Sequence, residues 1–431
     1  LILVVAGFVR FRPIGQPGAA KPSPSIPEMG AAPLNDVQME ERALELQRDG
    51  DLAAAEPLFR RVFAERQHQL GADHIDTLAA ANNLANLLHD RGNNREAQTL
   101  HEACLEARER TLGPEHPHTL ASLNNLALTL QANGDHDGAE RLYRRALETM
   151  QRDPGPEHGD TLSMLNNLAG VLSDKADYAA AEPLYRELSA ALHKKFGPEH
   201  PATLAGDGNL ANLLLRKGDL KAAGPIYERC LEIRERTQGA EHPEALLALA
   251  NFAAYHLEAE NYAEAEKLYR RCLASRIRTL GADHPQTLGT MQNLARTLRK
   301  KGAMDEAESV ARSALAAHER VLGPTHPDTF DTMATLADIL RDKGDATAAA
   351  GFYQRALAGL GDSPGDTHPT TLKVLYEFCR LRQSQHDPVE ARRLGAKLVA
   401  GARESLAGDH PDRLKYELRR VAPLKRGGVL S

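Results

Sequence analysis

The sequence predicts an all-α protein, a solenoid of repeated helix pairs, and three observations carry that reading. A loop of the form Leu112-Gly113-Pro114-Glu115-His116-Pro117 recurs down the chain. Its histidine stands at His74, His116, His158, His200, His242, His284, His326, His368 and His410, each 42 residues after the last. A small residue keeps the same step at Ala55, Ala97, Ala139, Ala181, Ala223, Ala265, Ala307, Ala349 and Ala391. Between these marks apolar residues fall at helical spacing, as at Leu78, Ala81, Leu84, Ala85 and Leu88. Repeats of 20 to 50 residues bury their apolar faces against one another, which places function on an extended surface rather than in one pocket.

Taken in order, residues 1–12 are an apolar stretch (Leu1 to Val9) followed by Arg10 and Arg12. Nine apolar residues are too few to span a bilayer, which needs about 20. The stretch reads either as the end of a truncated anchor or as a bare fragment end. Residues 13–34 hold Pro13, Pro17, Pro22, Pro24, Pro27 and Pro33 and read as a linker. Residues 35–409 then form about nine 42-residue helix pairs. Within one unit, Thr77 to Arg91 is a first helix, Gly92-Asn93 a turn, and Asn94 to Thr111 a second helix. Pro117 suits a first helical turn, where its missing N–H has no partner to lose. Asp76, Asp160, Glu244, Asp328 and Asp412 favour the positive helix end. Pro57, Pro183 and Pro225 share one position, where a bend is expected. Gly206 and Gly208 interrupt a first helix at a cost of about 1 kcal/mol each. Residues 410–431 read as a capping helix and tail, which covers the last apolar face of a solenoid.

Composition narrows the function classes. The formal net charge is −6 over 431 residues, which argues against a nucleic-acid or membrane footprint. With no tryptophan and 4% aromatics, the core is built from Leu and Ala. Cys104, Cys230 and Cys272 share one repeat position, and Cys379 stands where other repeats carry Ala85 or Ala127. These are small-residue core slots. No Cys/His ligand spacing occurs, so neither a disulfide nor a metal site is expected, and a reducing, cytoplasmic setting fits. A membrane tether would require a segment ahead of Leu1.

The residues also carry a resemblance. Small residues at Ala85 and Ala97, large Leu84, and aromatics at Tyr143, Tyr185, Tyr227 and Tyr269 resemble the tetratricopeptide pattern. The loop LGPEHPHTL with LNNLA, and the AERLYRRAL of Ala139 to Leu147, are similar to the 42-residue variant found in kinesin light chains and in many bacterial proteins. The Ala/Arg/Gly-rich composition leans towards a bacterial relative. The resemblance implies a right-handed superhelix whose concave groove binds an extended peptide.

On this reading the nine histidines are turn-and-cap elements. Asn83, Asn125, Asn167, Asn209, Asn251 and Asn293 form a scaffold position. Asn82, Asn124 and Asn166, with Asn86, lie on the opposite helix face from Leu84 and Leu88 and are expected to line the groove. The same face then turns apolar with Leu215, Leu247 and Leu257 beside Asn212. It becomes basic at Arg296, Arg299 and Lys300, and acidic at Asp331, Asp338 and Asp342. Phosphate-loop, zinc-protease and serine-hydrolase motifs are absent. Gly206-Asp207-Gly208 opens a GxGxxA only by chance, since no strand precedes it. The expectation is a non-enzymatic scaffold for a protein or peptide ligand, without a cofactor. A sensor arm of a larger ATPase or protease is the alternative, and an RNA-binding array a weaker one.

Overall fold

A computed structural model describes residues 35–48, 51–324, 326–362, 369–405, 413 and 415–417. The stretch 1–34 and most of the expected capping helix lie outside these. The chain divides into two compact units, Arg10–Asp174 and one that includes Lys175–Ser431. The N-terminal unit contains α1 (Asp36–Arg48), α2 (Leu52–Leu70), α3 (Ile75–Asp90), α4 (Asn94–Leu112), α5 (Pro117–Ala132), α6 (His136–Arg152) and α7 (Gly159–Asp174). The C-terminal unit contains α8 (Tyr178–Phe196), α9 (Pro201–Lys217), α10 (Leu220–Gln238), α11 (Pro243–Glu258), α12 (Tyr262–Leu280), α13 (Pro285–Lys301), α14 (Met304–Val321), α15 (Pro327–Asp342), α16 (Ala346–Asp362), α17 (Pro369–Ser384) and α18 (Pro388–Ser405). Within each unit every helix packs on the next in sequence. The odd-numbered helices also touch one another, as α3 does α5, and α9 does α11. Among the described residues no helix is long and apolar enough to cross a membrane.

The loop histidines cap the odd helices. Nδ1 of His74, His116, His158, His200, His242, His284 and His326 accepts the backbone N–H two residues on, at 3.1 to 3.3 Å. One of the N–H groups that a helix start leaves unpaired is thereby satisfied. At the other end Gly218 closes α9 in the left-handed conformation that glycine adopts without strain.

The core repeats with the sequence. Phe59, Tyr143, Tyr185, Tyr227, Tyr269 and Tyr353 fill one position in the even helices, almost wholly buried. His101 occupies that position in α4 and is 1% exposed. Burial, with lesser effects from His89 and Arg108, pushes its imidazole down to about 4. A second repeated element, unforeseen in the sequence, is a buried arginine near the end of the even helices. Arg108 donates to the His118 carbonyl at 3.2 Å, Arg234 to that of Glu244 at 2.9 Å, and Arg276 to that of Gln286 at 3.0 Å. Each thereby ties an even helix to the first turn of the next odd one.

The departures have separate causes. A Cβ on Gly206 would stand 2.6 Å from Leu192 Cδ1, so this glycine admits a core leucine. Gly208 faces open space. Pro57, Pro183 and Pro225 lie inside α2, α8 and α10, which run through them. All four cysteines are buried thiols. Burial pushes Cys104 up to about 11, which is the opposite of what a reactive thiol requires. Beyond α18, Tyr416 is buried and its ring lies 5.3 Å from that of Tyr376.

Candidate functional site

Neighbouring odd helices are joined by side-chain rungs, each linking one residue to that 43 positions on. Glu40 Oε1 accepts from Asn83 Nδ2, Asn82 Oδ1 from Asn125 Nδ2, and Asn124 Oδ1 from Asn167 Nδ2, all at 2.9 Å. The offset is one repeat plus one residue, so the carboxamide of each new helix reaches back to the position preceding its own. In the C-terminal unit Gln292 Nε2 and Thr335 Oγ1 make the equivalent contact at 3.2 Å. Between them the accepting position is held by Gly208 and Ala250, which have nothing to offer. The half-buried carboxamides of Asn251 and Asn293 therefore lack a side-chain partner among the described residues.

At the first of these gaps lies a cavity of about 20 Å³ bounded by α9, α10 and α11. Gly208, Asn212, Tyr227, Arg234, Leu247 and Asn251 are among its walls. That is room for about one water or the tip of one small side chain. Burial raises the Tyr227 phenol well above its usual range, so the hydroxyl is a neutral donor, bonded to Asn212 Oδ1 at 2.6 Å. Burial also pushes the Cys230 thiol in this wall up to about 12, the opposite of what a reactive thiol requires.

Further along, α13, α15 and α17 are laced by charge. Arg296 meets Asp331 at 2.5 Å, and Arg299 meets Asp342 at 3.0 Å and Asp338 at 3.4 Å. Lys373 reaches Asp331 at 3.3 Å, and Arg341 reaches Glu377 at 2.6 Å. Burial opposes the charge on Asp331, but Arg296 and Lys373, with the hydrogen bond from Gln292, hold its carboxyl well below the usual range.

These contacts revise the expected division of the face. Asn82 and Asn124 are not separate from the scaffold asparagines, because each accepts from the scaffold residue of the next repeat. Asn166 is 2% exposed and donates weakly to Asn167 Oδ1 at 3.5 Å. Asn212 is 4% exposed and held by Tyr227, while Leu215 and Leu257 are buried. Arg296 and Arg299 are paired with the very acids that the sequence placed one repeat later. Asn86 and Leu247 are half-buried and Lys300 is exposed, so these three keep solvent-accessible surface. Asn251 and Asn293, read from the sequence as scaffold, are the carboxamides left open. The signal was present in the 42-residue alignment, which sets Gly208 and Ala250 in line with Asn82, Asn124 and Asn166. Among the described residues no His, Cys, Asp and Glu cluster is placed to hold a metal ion.

The sequence pattern of the tetratricopeptide repeat matches residues 38–110, 76–152, 121–192, 202–278, 251–318 and 288–361. The chain belongs to the tetratricopeptide repeat family. Solved tetratricopeptide folds resemble it over half to most of its length. The quorum sensor NprR from B. thuringiensis, in its apo form, is 14% identical with a TM-score of 0.54, covering 84% of this chain and 97% of that one. A Rap protein complexed with competence and sporulation factor is 12% identical with a TM-score of 0.52, covering 86% and 98%. A putative kinesin light chain of Podospora anserina with nearly identical tetratricopeptide-like repeats is 28% identical with a TM-score of 0.43, covering 46% and 95%. No curated protein matches the chain in sequence. The fold is thus an all-α tetratricopeptide solenoid, built of helix pairs stacked in sequence.

Proposed function

We propose that the protein is a non-catalytic interaction scaffold of a reducing, cytoplasmic compartment that holds an extended peptide segment against its odd-helix face. The sequence expectation spread the contact over Asn82, Asn86, Asn124 and Asn166 in one unit and Asn212, Leu215, Leu247, Leu257, Arg296, Arg299 and Lys300 in the other. The reading favoured here concentrates it on α9, α11 and α13. The observation that supports this is the pair of half-buried carboxamides without a side-chain partner among the described residues, Asn251 and Asn293, the first of them beside half-buried Leu247 in the cavity wall. An extended backbone has a C=O and an N–H at each residue, which is what an unpaired carboxamide can bond.

Magnitudes assign the roles. Completing the burial of Leu247 under an apolar side chain contributes part of the roughly 1.5–3 kcal/mol of a full burial. Each carboxamide bond adds about 0.5–1.5 kcal/mol, and an exposed pair with Lys300 about 0.2–1 kcal/mol, lost with salt. Hydrophobic contact and backbone bonds therefore hold the ligand, and charge steers it. The test is retention of a degenerate decapeptide pool on the immobilised full chain, with bound sequences read out. Retention of a defined subset, displaced by the same peptides in solution, supports the proposal. A pool that passes through unretained overturns it.

A further inference from the structure

Beyond the groove, we infer that the half-buried rings of Phe252 and Tyr255, together with Glu228, form a docking point for an arginine side chain of a partner protein. The inference starts from three positions of α11 that other repeats bury. Phe252, Tyr255 and His256 stand in line with Leu84, Leu87 and Leu88 of α3, and with Leu210, Leu213 and Leu214 of α9. Those six leucines are buried, whereas the three α11 residues are only half-buried. In a chain with 4% aromatics they form one ring cluster. Phe252 and Tyr255 lie parallel with centroids 5.9 Å apart, and His256 stands edge-on to Phe252 at 4.5 Å.

The charge beside the cluster differs from that of other repeats as well. Elsewhere a glutamate of an even helix holds two cations, one four residues on and one 35 residues on. Glu182 pairs with Arg186 at 2.8 Å and Lys217 at 2.7 Å, Glu266 with Arg270 at 2.9 Å and Lys301 at 2.8 Å. Glu308 pairs with Arg312 and Lys343, both at 2.8 Å. The same three positions from α10 onward hold Gly224, Glu228 and Ala259. Both cations are gone, and an acid stands where the arginine does elsewhere. Tyr255 fills the vacated place, since a Cβ on Gly224 would stand 2.5 Å from its hydroxyl oxygen. Glu228 is exposed and makes no ion pair among the described residues. Burial holds the His256 imidazole below its ordinary value against the opposing pull of Glu264 and Glu228, so at pH 7 it offers these acids no charge. Aromatic faces beside an unpaired carboxylate suit a guanidinium, which stacks on the one and donates in a planar fork to the other. The chain contains such a pairing itself. Phe378 and Arg382 of α17 occupy the positions of Phe252 and His256, and the Arg382 guanidinium lies 4.9 Å from the Phe378 ring centre. In α11 the ring is kept and the arginine is not.

The experiment puts back what the other repeats possess. Glu228→Arg restores the residue of Arg186, Arg270 and Arg312, and Tyr255→Leu that of Leu87 and Leu213. Three pools of decapeptides with degenerate flanks and a central pair of Arg, Lys or Gln are passed at low salt over the immobilised full chain and over each variant. Helical circular dichroism and melting confirm that the variants fold. The native chain is expected to retain the Arg pool about tenfold over Gln and about threefold over Lys. Each variant should lose most of this preference while holding the Gln pool as the native chain does. Tyr255→Leu changes no charge, so its effect isolates the ring. Equal retention of the Arg and Lys pools marks bulk attraction to an acidic chain and overturns the docking point, as does an Arg preference undiminished in either variant. Retention of the Arg pool without the Gln pool supports the docking point even as it overturns the groove.

Discussion

The rungs of α3, α5 and α7 and those of α9, α11 and α13 use the same repeat positions to opposite ends. In the first set every scaffold asparagine described has its acceptor, at Glu40, Asn82 or Asn124. In the second, Asn251 and Asn293 face Gly208 and Ala250 and have no side-chain acceptor among the described residues. One side-chain position is therefore tied into a rung in one repeat and without a side-chain acceptor in another. What distinguishes the two is the residue 43 positions earlier, not the asparagine itself. Beyond α13 the face is closed again, this time by ion pairs around Asp331, Asp338 and Asp342.

The comparison can be broken most forcefully in the closed charged region. Asp331→Ala leaves Arg296 and Lys373 mostly buried beside no carboxylate, and removing one partner of a buried pair costs about 3–5 kcal/mol. Urea unfolding should show that loss at pH 7; a change under 1 kcal/mol would mean that the network is solvated. Because the folded carboxyl titrates below its unfolded value, its contribution is present above about pH 4 and disappears only as the pH falls through the lower folded value.

In the N-terminal unit the sensitive group is His101. Its imidazole titrates near 4 when folded, below its ordinary 6.5. The unfolded chain therefore takes up the proton first, and stability falls as pH drops from about 6.5 towards 4, by up to the order of 3 kcal/mol. His101→Phe places at this position the residue found at Phe59. It should raise the melting temperature at pH 5 more than at pH 7.5. An equal shift at both values would assign the acid sensitivity to other groups.

The asparagines test the comparison directly and with a smaller effect. Asn125→Ala should cost about 1 kcal/mol, since it breaks the bond to Asn82. Asn251→Ala should cost close to nothing, since no rung is lost. Equal costs in denaturant titration would erase the distinction between closed and open rungs. Smaller still, Gly208→Ala should stabilise by about 0.5–1 kcal/mol through helix propensity. Gly206→Ala should not, because its Cβ meets Leu192.

Much of this architecture was legible in the sequence because repetition exposes what each position must do. The histidine loop, the helix pairs and the small-residue slots recur nine times, and their physical roles follow from capping and packing. The face was harder to read. Asn82 and Asn125 look like independent surface and scaffold residues until the offset of one repeat plus one residue is known, and that offset is a property of packing between helices. The same holds for Arg296 and Arg299, whose partners lie 35 to 43 residues away on another helix. The informative signal was loss rather than presence: glycine and alanine at Gly208 and Ala250, where other repeats keep a polar acceptor.

The most direct test of the account compares one repeat position in the two regions. Leu247 on α11 and Ala121 on α5 are equivalent in the 42-residue register, three repeats apart. Both are accessible, half-buried and exposed respectively, so aspartate at either leaves the core intact. Retention of the degenerate decapeptide pool should fall at least tenfold for Leu247→Asp and stay at the native level for Ala121→Asp. Loss in Ala121→Asp with full retention in Leu247→Asp would place the peptide on the closed rungs and contradict the account.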